Sequence, residues 1–127
     1  MQRGIELFAG ICFLVIGLSH LIQPAAWVEF FDGLRSRGRS GAFAEGFILL
    51  GFGAFVVAFH NVWSGLPTVL TLVGWLQVVK GLLRFTAPKL CLRIYERVSL
   101  ERAWEFQAAG VFSLALGGLF TYTALLP

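Results

Sequence analysis

The sequence predicts an all-α integral membrane protein, a four-helix bundle built from two tandem two-helix repeats, each carrying a short cytoplasmic interfacial helix. Four observations predict it. Hydrophobic residues make up 57% of the 127-residue chain and charged residues only 13%, against about 45–50% and about 25% in soluble domains. Four apolar runs reach membrane-spanning length: Ile5 to Ile22, Ala42 to Phe59, Leu66 to Leu83 and Phe106 to Leu126. A shift of 64 residues then lays Gly10 on Gly74, Gly17 on Gly81, Leu18 on Leu82, Pro24 on Pro88, Ala44 on Ala108, Gly46 on Gly110, Leu50 on Leu114 and Gly53 on Gly117 without a gap. That register reads as an internal duplication of one transmembrane domain, 1–127, into halves 1–63 and 64–127. Finally, two glycines stand seven residues apart in every run: Gly10 and Gly17, Gly46 and Gly53, Gly74 and Gly81, Gly110 and Gly117. Small residues at that interval share one helix face, where in lipid they let two backbones approach closely. A compact, left-handed bundle is the expected result.

The first run is ended by Pro24, which lacks the N–H that would continue the ladder and disfavours helix in the residue before it. Cleavage at Pro24-Ala25-Ala26 as a signal peptide is rejected, because residues 1–26 match the third run and the charge before them is weak. Trp27, Phe30, Phe31 and Leu34 then fall at i, i+3, i+4 and i+7, with Glu29, Asp32 and Arg35 opposite. This is the pattern of an amphipathic helix lying in the membrane interface. Gly33, Gly38 and Gly41 break it before the second run. After the turn Phe59 to Pro67 and the third run, Pro88 opens the matching helix, in which Cys91, Ile94, Tyr95 and Val98 take the apolar positions and Arg97 with Glu101 form an i, i+4 pair.

The net charge of +3 does not mark a nucleic-acid surface, because nine of the ten Lys and Arg residues lie around the two connections that carry the interfacial helices. By the positive-inside rule, loops 23–41 and 85–105 are cytoplasmic and both termini face outward. Cys12 and Cys91 make neither a CxxC pair nor a metal-ligand cluster. No acid pair, nucleophile triad or phosphate loop is visible, so enzyme chemistry is not expected.

An ionisable group at the centre of a bilayer costs about 2.5–3.5 kcal/mol on insertion scales, so the few present here are the candidate site residues. In the cytoplasmic layer, Gln77, Lys80 and Arg84 share one face of the third run. Glu45 enters the second run at similar depth, and His20 takes in the first half the place of Arg84. A Glu45–Lys80 pair between adjacent helices is expected, lining an anion or headgroup site, while Arg84 snorkels to the span end. In the outer layer stand Glu6, His60 and Asn61, with Arg3 expected to satisfy Glu6 and His60 to hydrogen-bond at a helix end or to sense or bind something. The two histidines are expected on opposite faces of the membrane, which makes bis-His haem ligation within the chain implausible.

Two resemblances carry further expectations. The run His60-Asn61-Val62-Trp63, with Leu72-Val73-Gly74-Trp75, Lys80-Gly81 and Pro88, resembles a group of small bacterial four-span inner-membrane proteins of unknown function. Gly10, Gly17, His20 and Pro24 followed by Glu45-Gly46 more loosely resemble the DoxX-like superfamily, four-helix membrane proteins that include a subunit of a thiosulfate:quinone oxidoreductase. The resemblances imply a bacterial inner-membrane location and single out His20 and Glu45. The expected function is that of an oligomeric or accessory membrane subunit without catalysis. The alternatives are a small-solute or ion transporter or channel, and a DoxX-like accessory subunit meeting quinone near Trp27 and Phe31. No cofactor is expected, membrane lipid or quinone remaining open as small-molecule ligands. The expected partners are membrane lipid and either further copies of the chain or a larger membrane complex.

Overall fold

Two prolines and two glycines divide the chain. In the computed structural model, which describes residues 1–127, every element is helical: α1 (Gln2–Ile22), α2 (Pro24–Ser36), α3 (Arg39–Phe59), α4 (Thr68–Thr86), α5 (Pro88–Tyr95) and α6 (Ala103–Leu125), the last preceded by a 3-10 turn at Leu100–Arg102. Pro24 and Pro88 sit in the first turns of α2 and α5, where a missing N–H costs nothing, and the residues before them, Gln23 and Ala87, leave helical geometry. Gly38, at φ 63°, turns the chain from α2 into α3, and Gly65, at φ 71°, lies in the turn before α4. A side chain would strain both. Four helices are long and apolar enough to cross a membrane, as an integral membrane protein requires. Their outward faces carry large exposed apolar side chains such as Ile11, Val15, Phe47, Ile48, Leu72 and Phe112.

Two expected boundaries move. The third span runs past Leu83 to Thr86, which brings Arg84 inside the helix. The second short helix stops at Tyr95, and Ser99 is extended. Arg97 and Glu101 are therefore not on one helix and form no ion pair.

The four long helices associate chiefly as two antiparallel pairs, α1 with α6 and α3 with α4, and glycines set both contacts. A methyl group added to Gly17 would lie 2.8 Å from the Gly110 carbonyl oxygen, and one added to Gly53 would lie 2.7 Å from the Gly74 oxygen. Gly10 faces Gly117 and Thr121 in the same way, and Gly81 faces Leu50. Lipid tails are as apolar as leucine, so close backbone packing rather than hydrophobic expulsion is what holds such pairs.

The pairs meet each other mainly toward the two ends. At the end that holds both termini, Ile5, Ala9, Val56, Leu70 and Phe120 form one core, to which Phe13 adds edge contacts with Phe120 and Phe52. At the other end Leu34, Ala42, Cys91 and Tyr95 form a second core as α2 and α5 fold under the bundle and touch each other.

Gly53→Ala forces a methyl against backbone atoms of α4 and is expected to cost about 1–3 kcal/mol. Gly51→Ala, with nothing within 4 Å of the added carbon, is expected to gain about 0.5–1 kcal/mol from helix propensity. Thermal unfolding followed by circular dichroism in one detergent compares them.

Candidate functional site: two buried polar clusters

Gly46 determines the site at the α2–α5 end. With no side chain there, the Arg84 stem lies against α3, its Cβ 2.8 Å from where a Gly46 methyl would be, and the guanidinium is held in the helix contact. Arg84 Nε donates to Glu45 Oε1 at 2.5 Å, the Tyr95 hydroxyl donates to the same oxygen, and Arg84 Nη1 donates to Cys91 Sγ at 3.2 Å. Arg84 and Glu45 are each only 9% exposed. Such a pair is tolerable in an apolar surround because further hydrogen bonds satisfy its charges. Burial first, and then the bond to Glu45, hold the Tyr95 phenol well above the ordinary tyrosine range.

This corrects two expectations. Glu45 pairs with Arg84 rather than Lys80, and Arg84 does not snorkel. The reason is positional, since Gly46 leaves its gap beside residue 84. Lys80 forms no ion pair and instead lines a cleft of about 280 Å3 together with Glu45, Arg84, Tyr95, Phe31 and Phe106. An adjoining cleft of about 320 Å3 shares Phe106, Ile94 and Val98 with it and adds Arg97, Arg102 and Glu105.

Gln77 and His20 fall outside this cluster. Gln77 lines a separate cavity of about 260 Å3 between the helix pairs, with Cys12, Phe13, Phe52 and Ser113, and its buried Oε1 has no hydrogen-bond partner. The His20 ring stacks on Trp27 with centroids 4.1 Å apart and lies near Phe106, while its Nδ1 is 2.7 Å from the Ile16 carbonyl oxygen.

At the terminal end the surprise is His60. It caps α3 yet is completely buried, with Nε2 2.8 Å from Glu6 Oε1 and Nδ1 3.1 Å from Thr71 Oγ1. Glu6 therefore pairs with His60 across the seam between α1 and α3, not with Arg3 three residues away. Asn61 stays exposed and accepts from Trp63 Nε1 at 3.0 Å. Hydroxyl, imidazole and carboxylate stand in the order of an acyl-transfer triad, but Thr71 is fully buried and its oxygen already accepts from Val62 N–H. No face of that hydroxyl is open to a substrate.

Sequence reasoning missed Tyr95, Cys91 and Thr71 as members of these clusters. Tyr95 and Cys91 are four apart on the apolar face of α5, a position that signals core, and only the polar tip of a tyrosine there asks for a partner. Thr71 carries no signal of its own.

Glu45→Ala leaves Arg84 buried and unpaired and is expected to cost about 3–5 kcal/mol, whereas Lys80→Met changes stability by less than about 0.5 kcal/mol. Adding Arg84→Met to Glu45→Ala should recover part of the loss. The Tyr95 shift is upward, so its contribution is present below the ordinary tyrosine value of about 10 and is lost as pH rises above it. Tyr95→Phe should remove that alkaline component, as unfolding midpoints against pH would show.

No protein-family model matches the chain, and no curated protein or solved structure matches it either.

Proposed function

We propose that the chain is a small inner-membrane accessory subunit without catalysis of its own, which binds an anionic amphiphile, an acidic phospholipid, in the cleft at its cytoplasmic end. One observation carries the reading: Lys80 is a cation without a carboxylate partner, placed in a cleft whose other walls are the neutralised Glu45–Arg84 pair and apolar rings. A phosphate would complete Lys80. Arg97 and Arg102 in the adjoining cleft would meet the rest of the headgroup, and Ile94, Val98 and Phe106, shared by the two clefts, would meet apolar chain. The orientation rests on Arg35, Arg37, Arg39, Arg93, Arg97 and Arg102, all in or beside the segments that include α2 and α5. On this reading α2 and α5 are the interfacial helices.

The internal duplication belongs to the same proposal and draws support from matched contacts. Gly53 against Gly74 repeats Gly10 against Gly117 at the 64-residue offset, and Arg84 against Gly46 repeats His20 against Gly110. Arg84 on Cys91 repeats His20 on Trp27. A pseudo-twofold axis along the membrane normal would relate such halves.

A transport reading is second, and Gln77 is what favours it: an unpaired amide oxygen in a cavity between the helix pairs marks a polar position midway along α4.

Native mass spectrometry from mixed micelles of phosphatidylglycerol and phosphatidylcholine tests the proposal. The chain should retain the anionic lipid preferentially, with Lys80→Met weakening retention by about 1 kcal/mol, roughly fivefold. Equal retention of the two lipids, or no effect of Lys80→Met, overturns it.

A further inference from the structure

The cluster at the terminal end permits a proton count. Thr71 Oγ1 lies 3.1 Å from Val62 N, 3.0 Å from the His60 carbonyl oxygen and 3.1 Å from His60 Nδ1. A hydroxyl has one hydrogen to give and lone pairs to accept with. Val62 N–H can only donate and the carbonyl can only accept, so the hydroxyl hydrogen goes to the carbonyl. His60 Nδ1 must then bring its own hydrogen. With Nδ1 protonated, a neutral ring would turn a bare Nε2 toward Glu6 Oε1, 2.8 Å away. Against a carboxylate, that is lone pair against lone pair. A second hydrogen therefore lies on this line, whether on Nε2 or on Oε1, and in both cases the pair is neutral as a whole.

The pair also has a way out. His60 is wholly enclosed, but Glu6 forms part of the wall of a cavity of about 350 Å3 with Arg3, Pro67 and Thr123. Of the other ionisable groups near the pair, α1 supplies Arg3 and the exposed Met1 amino group. In α3 and α4, the residues Arg39, Glu45, Lys80 and Arg84 lie toward the opposite end, and Tyr122 of α6 is exposed. Arg3 is thus the cation that shares a cavity wall with the charge that would remain after deprotonation.

We propose that Glu6 and His60 form a binding site for one exchangeable proton, reached through the Arg3-lined cavity, with Thr71 as the hydroxyl that follows its occupancy. Between the loaded and the released state one proton goes to water in the cavity: the Nδ1–H bond is broken, and the hydrogen on the line to Glu6 ends on Nε2, which breaks an O–H bond and forms an N–H bond where it stood on Oε1. Nε2–H remains on the Glu6 carboxylate, Nδ1 becomes bare, and the Thr71 hydroxyl turns its hydrogen from the His60 carbonyl to Nδ1. Because Glu6 lies on α1, His60 caps α3 and Thr71 lies on α4, proton occupancy acts on the seam between the helix pairs.

The chain has two histidines, so His20→Gln leaves His60 as its one imidazole. Nitrogen NMR of 15N-histidine-labelled full-length His20→Gln protein in lipid nanodiscs, titrated over the pH range in which it stays folded, tests the site. The expected result is one step, in which Nδ1 loses its hydrogen while Nε2 keeps its own. Adding Glu6→Gln should abolish the step, because the amide donates to Nε2 and leaves Nδ1–H in place. Adding Thr71→Ser, which keeps the hydroxyl, should preserve it. An imidazole that does not respond to pH, a step in which Nε2 loses the hydrogen, a step that survives Glu6→Gln, or one that Thr71→Ser abolishes overturns the proposal.

Discussion

The buried Arg84 and the His20 ring are placed by how closely two helix backbones can approach. In lipid, a helix pair gains little from hiding apolar surface and must gain from packing, and here glycine lies against the partner's backbone at Gly10, Gly17 and Gly53. At two other glycines the space is used by a polar side chain. Arg84 lies against Gly46 and His20 against Gly110. The ion pair, the tyrosine above it and the cysteine beside it follow from that one gap. A side chain at Gly46 would displace Arg84, and Glu45 would lose its counter-charge.

The two polar clusters solve the same problem in different currencies. At the α2–α5 end a permanent cation and a carboxylate cancel, and a phenol supplies one more donor. At the terminal end an imidazole takes the place of the cation and a threonine the place of the phenol. The first arrangement is fixed, because a guanidinium keeps its charge. The second has a state that depends on a single hydrogen.

Much of the architecture was legible in the sequence because lipid imposes it: four runs of spanning length, prolines at Pro24 and Pro88 that end two of them, and glycines at a heptad interval. The partners of the charged residues were less legible. Glu45 was matched to Lys80 by depth alone, yet which cation it meets depends on where α3 has no side chain, and that is a property of the packed pair. Arg3 and Glu6 are neighbours on one helix, but Glu6 turns to His60 because the end of α3 brings a buried imidazole within 2.8 Å of it. Apolar spacing that continues through Val98 predicts a longer second short helix, while the chain leaves helix after Tyr95.

The helix pairs differ in length. α1 and α6 contain 21 and 23 residues, α3 and α4 contain 21 and 19, so α6 is about 34 Å long and α4 about 28 Å, on either side of a hydrocarbon core of about 30 Å. A bilayer of one thickness thus asks the α6 side to tilt and the α4 side to thin the lipid around it. The two sides face each other across the cavity beside Gln77, where a difference in tilt between the pairs would be taken up.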